Sequence, residues 1–241
     1  MREIEPEMEM VEWADPRMAA RYRRNLGTLS PEGQGRLLAS HALVAGLGGL
    51  GGHVVEQLAR CGVGQITGVD PDVFDETNLN RQLLATTASL GRRKVEVAQE
   101  RVNLLNPACA FTTIAGRHRD VPETLWATVD IAFDCLDSIA DRLDLAGVCA
   151  RTSRVLVHGA VAGWYGQVAV VWPRQNVLAA LYPQTGLGWE QDLGAPPFTV
   201  ALTASLMVTQ GIKLLIGAPV PCDRRVEFLD LWESRWLTTT L

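Results

Sequence analysis

Gly46, Gly48 and Gly51 form a G-x-G-x-x-G turn, and Asp70 stands 19 residues beyond the last of them. Glycines at this spacing permit a tight turn and close approach of the backbone to a ligand. The helix that such a turn opens offers unpaired N–H groups and a positive dipole end to a phosphate. A carboxylate at the position of Asp70 accepts hydrogen bonds from a ribose. Together these residues predict a nucleotide site without naming the nucleotide, and NAD is the default for such a fingerprint.

The stretch that follows speaks for a triphosphate instead. Residues 70–82 read DPDVFDETNLNRQ, a polar density for which a hydride-transfer site has no evident use. Arg81 can grip phosphate oxygens with two parallel N–H groups, and Asn78 can bond ribose or phosphate. Lys94, at the start of a predicted helix, brings a second cation. Further on, an apolar run ends in Asp134-Cys135-Leu136-Asp137-Ser138. Strand C-termini in open α/β sheets line the ligand crevice, which places Asp137 to hold a magnesium ion.

The elements that must position these residues are legible as strand–helix alternation. Residues 41–44, 65–69, 111–114, 131–133 and 155–157 are short apolar runs that read as strands. Between them, 94–105 carries Val95, Ala98, Val102 and Leu105 at helical spacing until Asn106-Pro107 stops it, and 143–150 reads as another helix. This rhythm predicts an α/β fold, a Rossmann-like and mostly parallel sheet with helices on both faces. From Val161 the texture changes: 167–172 and 226–231 look like antiparallel strands flanking a helix over about 199–215. One domain is expected over 1–241, with 1–36 a charged helical arm and 183–197 a loop of glycines and prolines. A loop of that length is usually functional.

The bulk numbers narrow the classes. A net charge of −5 speaks against a protein that lives on nucleic acid. The five cysteines are scattered and form no C-x-x-C pair, so neither a disulfide framework nor a zinc site is expected, and reduced thiols suggest the cytoplasm. The N-terminus lacks the pattern of a signal peptide. The most apolar stretch, 198–220, contains Gln210 and Lys213 and reads as a buried helix rather than a membrane span. His41, His53, His118 and His158 show no ligand spacing and are assigned no chemistry.

In this order and spacing, Arg21-Tyr22-Arg23-Arg24, Gly46 to Gly51, Asp70, Thr77 to Gln82, Lys94-Val95, Leu105-Asn106-Pro107, Asp134 to Asp137 and Gly163 to Gln167 carry a resemblance. The chain resembles the MoeB/ThiF/HesA family, bacterial relatives of ubiquitin-activating enzymes, over nearly its whole length. The resemblance implies ATP-dependent adenylation of the C-terminal Gly-Gly carboxylate of a ubiquitin-like sulfur carrier. It implies that Gly49 lies against the phosphates and that Asp72, Thr77, Gln82 and Ser138 join the ATP-binding set. Arg81, Lys94 and Asp137 would be the catalytic charges, and Arg24 would act in the partner subunit of a homodimer. The 183–197 loop would cover the carrier tail.

Departures from the family pattern also stand out. The two C-x-x-C pairs of many relatives are missing, with Val177-Leu178-Ala179-Ala180 where the first belongs. The loop holds no cysteine, so the reaction is expected to stop at the adenylate or to pass it to another sulfur donor. Ser138 replaces an asparagine, and Gln210 a glutamate. Three other functions fit parts of the pattern: a tRNA threonylcarbamoyladenosine dehydratase, an NAD-dependent oxidoreductase, and a silent carrier-binding scaffold.

Overall fold

The computed structural model of the chain describes residues 20–175, 177–182 and 190–241, without the side chains of 190 and 191. The first helix, α1 (Leu26–Ala39), is kinked where Ser30 adopts φ 56° ahead of Pro31. It leads into β1 (His41–Ala45), whose five residues are all buried. Then follow α2 (Gly49–Cys61), β2 (Gln65–Val69), α3 (Lys94–Leu105), β3 (Ala110–Ile114), the short α4 (Glu123–Trp126), β4 (Ile131–Asp134) and α5 (Ile139–Arg151). The C-terminal part holds β5 (Val155–Ala162), β6 (Tyr165–Val171), α6 (Val177–Leu181), α7 (Glu190–Leu193), α8 (Pro197–Ile216), β7 (Arg225–Asp230) and β8 (Arg235–Thr240).

All eight strands join one sheet in the order β3-β2-β1-β4-β5-β6-β7-β8. The first five pair in parallel, and β5 to β8 pair antiparallel. β1 is therefore central, with β2 on one side and β4 on the other, and the gap beyond their carboxyl ends is the switch point where such sheets bind ligands. Helices cover both faces. One apolar cluster packs α2, α3 and α8 against Val44, Ile66 and Phe133. The other packs Trp126 of α4, Leu145 of α5 and Leu178 of α6 against Leu43, Ala132 and Leu156. Two close approaches fix α8: a Cβ on Gly211 would lie 2.3 Å from the Phe133 ring, and one on Gly159 would lie 2.2 Å from Met207 Sδ. α8 is long and apolar enough to cross a membrane, but over half of it is buried here. As one such core helix it does not indicate a membrane protein.

Several boundaries differ from the sequence expectation. β5 runs to Ala162 rather than 157, because its first half pairs in parallel with β4 and its second half continues against β6. β8 was not anticipated: all six residues are exposed, so it shows no alternation and is set by pairing with β7 alone. The described end of the N-terminal arm is tied down. Tyr22 is 2% exposed and accepts a hydrogen bond from Asn106 Nδ2 at 2.8 Å, while Arg21 donates to Leu105 O at 2.8 Å. Residues 1–19 of the arm and 183–189 of the expected loop lie outside the described residues. The remainder of that loop carries a helical turn, α7, and Pro197 opens α8 at its N1 position, two residues earlier than expected.

Candidate active site

A cavity of about 860 Å³ opens at the carboxyl ends of β1, β2 and β4. The glycine turn forms its floor. Gly46 adopts φ 88°, and a Cβ there would strike Cys135 O at 2.6 Å; a Cβ on Gly51 would lie 1.8 Å from Gly46 O. These two positions therefore require glycine: the first to make the turn, the last to let the first turn of α2 lie against it. Gly46, Gly48 and Gly49 face the cavity. α2 begins at Gly49, and the first amides of a helix have no partner within it.

Asp70 is 4% exposed and spends both oxygens on backbone, accepting Leu47 N at 2.7 Å and Asp72 N at 2.8 Å. Burial raises its pKa above the ordinary value, against the opposing effect of Lys94 and the two amides. Each carboxylate oxygen keeps a further acceptor site, so a ribose hydroxyl can share it. Lys94, at the first turn of α3, reaches back into the cavity. Its Nζ lies 3.0 Å from Asp72 and 3.9 Å from Asp70. Arg81 is aimed by its own segment, donating to Thr77 O at 2.9 Å and Asn80 Oδ1 at 2.8 Å. Gln82 lies alongside Gly48, and its buried Oε1 has no partner among the described residues.

Of the predicted residues, the cavity wall brings together Gly46, Gly48, Gly49, Asp70, Asp72, Thr77, Arg81, Gln82, Lys94, Asp137 and Ser138. Three stand elsewhere. Gly51 is buried behind the turn. Asn78 is folded into its own turn, accepting Asp75 N at 3.3 Å and donating to Thr77 Oγ1 at 3.3 Å, so it shapes the segment that carries Arg81. Arg24 is exposed and does not line the cavity of its own chain.

Ser138 caps α5, its Oγ accepting from Asp141 N at 3.4 Å. Capping is thus the work of the serine, and among the described residues no hydrogen bond or ion pair engages the Asp137 carboxylate. No group of three His, Cys, Asp or Glu side chains forms a metal cluster among the described residues. Magnesium needs none, since one or two carboxylates with phosphates and water suffice.

Sequence reasoning missed one end of the cavity, lined by Gly116, Arg117, His118, Asp141 and Arg142. His118, assigned no chemistry from spacing, pairs with Asp144 at 2.6 Å, and Arg117 with Asp141 at 3.3 Å. No local signal marks these contacts, because the loop after β3 meets α5 only once the sheet has formed. Cys135 also borders the cavity, but burial drives its pKa well up, with Asp134 adding to the effect. That disfavours its thiolate form.

Comparison with known proteins decides the family, for the ThiF family pattern matches residues 22–241. The chain belongs to the ThiF family. Among ThiF relatives, the SAMP-activating enzyme E1 of Haloferax volcanii is 33% identical over 229 residues, 90% of this chain and 83% of that protein. The sulfur carrier protein ThiS adenylyltransferase of Escherichia coli is 31% identical over 228 residues, 92% and 90% of the two chains. The ThiF-type fold is seen again in the structure of E. coli MccB with ATP. That structure has a TM-score of 0.75 at 19% identity and covers 93% of this chain and 72% of MccB.

Proposed function

We propose that this chain, acting as one adenylating unit, uses ATP to activate the C-terminal Gly-Gly carboxylate of a ubiquitin-like sulfur carrier. The observation that carries the reading is the single cavity that gathers the glycine turn, Asp70, Arg81, Lys94 and Asp137 in a chain of the ThiF family. Relatives named for activating such carriers span nearly its whole length.

The reaction is attack of a carrier carboxylate oxygen on the α-phosphorus of ATP. The bond from that phosphorus to the bridging oxygen breaks, pyrophosphate leaves, and an acyl adenylate remains. A carboxylate is ionised at neutral pH, so no general base is needed and the protein's work is positioning and charge neutralisation. The amides at the start of α2 receive phosphate, and Asp70 holds the ribose. Arg81 approaches the phosphates from a fixed turn, and Lys94 exchanges its Asp72 partner for a phosphate oxygen. Asp137 lines the same cavity, its carboxylate engaged by no hydrogen bond or ion pair among the described residues, and would hold a magnesium ion, which when bound would neutralise the departing pyrophosphate. Arg24 completes the site from the partner of a homodimer.

A protein substrate also needs a landing surface. Trp164, Phe198 and Trp232 form an exposed aromatic cluster, with ring centroids 4.8 and 5.4 Å apart, beside Gly194, Ala195 and Val200 of the cavity rim. The five cysteines are free, which agrees with a cytoplasmic setting. No observation favours the dehydratase, the oxidoreductase or the scaffold. Intact-mass analysis of a Gly-Gly-terminated carrier after incubation with enzyme, ATP and magnesium tests the reading. A carrier heavier by one AMP is expected, and an unmodified carrier under conditions where ATP binds would refute it.

A further inference from the structure

Behind the cavity wall lies a buried polar ring that the proposed chemistry does not use. Asp134 and His158 are both fully buried and occupy partner positions on the neighbouring strands β4 and β5. His158 Nδ1 lies 2.7 Å from Asp134 Oδ2, and His158 Nε2 lies 2.9 Å from the Tyr182 hydroxyl. Arg142 donates from Nη1 to that hydroxyl at 2.8 Å and from Nε to Leu136 O at 2.9 Å. The other oxygen of Asp134 accepts Leu136 N at 3.1 Å, which closes the ring. Gln167 Nε2 also donates to the Tyr182 hydroxyl.

The direction of every bond follows from what each group can do. Arg142 and Gln167 Nε2 both donate to the Tyr182 oxygen and use its two acceptor sites, so its own proton points to His158 Nε2. His158 is then neutral, with its proton on Nδ1 directed at Asp134 Oδ2. Burial, which lowers its pKa, agrees with that state. Both ends of the ring therefore grip one residue. Asp134 holds the N–H of Leu136 and Arg142 holds its C=O, and the next residue in the chain is Asp137. A peptide held at both polar groups leaves the following side chain little freedom, which matters when a carboxylate must be held within a fraction of an ångström.

We propose that Tyr182, His158 and Arg142 are positioning residues that set the Asp137 carboxylate through the Leu136 peptide. This inference rests on the reading of Asp137 as the magnesium carboxylate. The test needs no carrier, so its outcome is independent of whether the carrier assignment holds. ATP binding is measured by calorimetry with magnesium and with EDTA, for the wild type, Tyr182→Phe, Asp137→Asn and the double variant. Tyr182→Phe keeps the ring, which packs edge-on against His158 and under Arg142, and removes only the hydroxyl.

The affinity gained from magnesium is expected to fall about fivefold in Tyr182→Phe, with EDTA affinity within about twofold of the wild type. In the Asp137→Asn background, Tyr182→Phe is expected to add nothing. Arg142→Lys, which keeps the charge but cannot span both partners, is expected to behave like Tyr182→Phe and serves if that variant does not fold. An unchanged magnesium gain, an equal loss with and without the metal, or a further loss on Asp137→Asn would each overturn the proposal. A wild type that gains nothing from magnesium would overturn the reading of Asp137 and this inference with it.

Discussion

Arg81 and Asp137 reach the cavity from separate segments, and neither is buried in the core. Their removal should therefore spare the fold while taking charge from the site. Arg81→Ala or Asp137→Ala is expected to cost about 3 kcal/mol of transition-state stabilisation, roughly a hundredfold in rate. Initial rates of adenylate formation alongside thermal melts check this, with near-wild-type rates as the contrary result. At this scale the sequence was most informative where the chemistry is local. Gly46 to Gly51 and Thr77 to Gln82 are continuous runs whose turn geometry is written in their residue types. Asn78 is ambiguous for the same reason, since an amide that suits a ligand also suits the turn it sits in. His158 and Asp134 are 24 positions apart and meet only as neighbours across two strands, so no spacing rule reaches them.

The elements that hold the site are joined by packing and by ion pairs, among them a charged clamp between α2 and α3. Glu56 of α2 accepts from Arg101 of α3 at 2.8 and 3.0 Å and from Arg60 at 2.8 and 2.9 Å. Burial raises the Glu56 pKa, but the two arginines outweigh it and the net shift is downward from 4.5. A carboxylate with a depressed folded pKa contributes stability that is present above its unfolded value and lost as pH falls through the folded one. With both arginines substantially exposed, the contribution is screened. Glu56→Gln is expected to cost about 1 kcal/mol at neutral pH, by urea unfolding, with the deficit shrinking below about pH 4.5. A deficit that persists unchanged in acid would contradict the electrostatic account. The helices and parallel strands around this clamp were legible because their apolar periods are intrinsic. β8 and the far half of β5 were not, because both are defined by the strand beside them.

At the scale of the whole molecule, the position of Arg24 is what remains to be connected to the site. The cavity contains Arg81, Lys94 and Asp137 but not Arg24. If Arg24 acts in the partner's site, mixing Arg24→Ala with Arg81→Ala protein rebuilds one intact site in each mixed dimer. Random exchange of subunits then restores about a quarter of wild-type activity from two inactive preparations. Mixtures that stay inactive after subunit exchange would take Arg24 out of the partner's site, and an Arg24→Ala protein that is active by itself would place it outside the reaction. The central claim, adenylation of a carrier carboxylate, is tested most directly by ATP–pyrophosphate exchange with magnesium, run with and without a Gly-Gly-terminated carrier. The account predicts exchange that depends on the carrier and disappears when its terminal glycine is removed. ATP binding without exchange for any such carrier would contradict it.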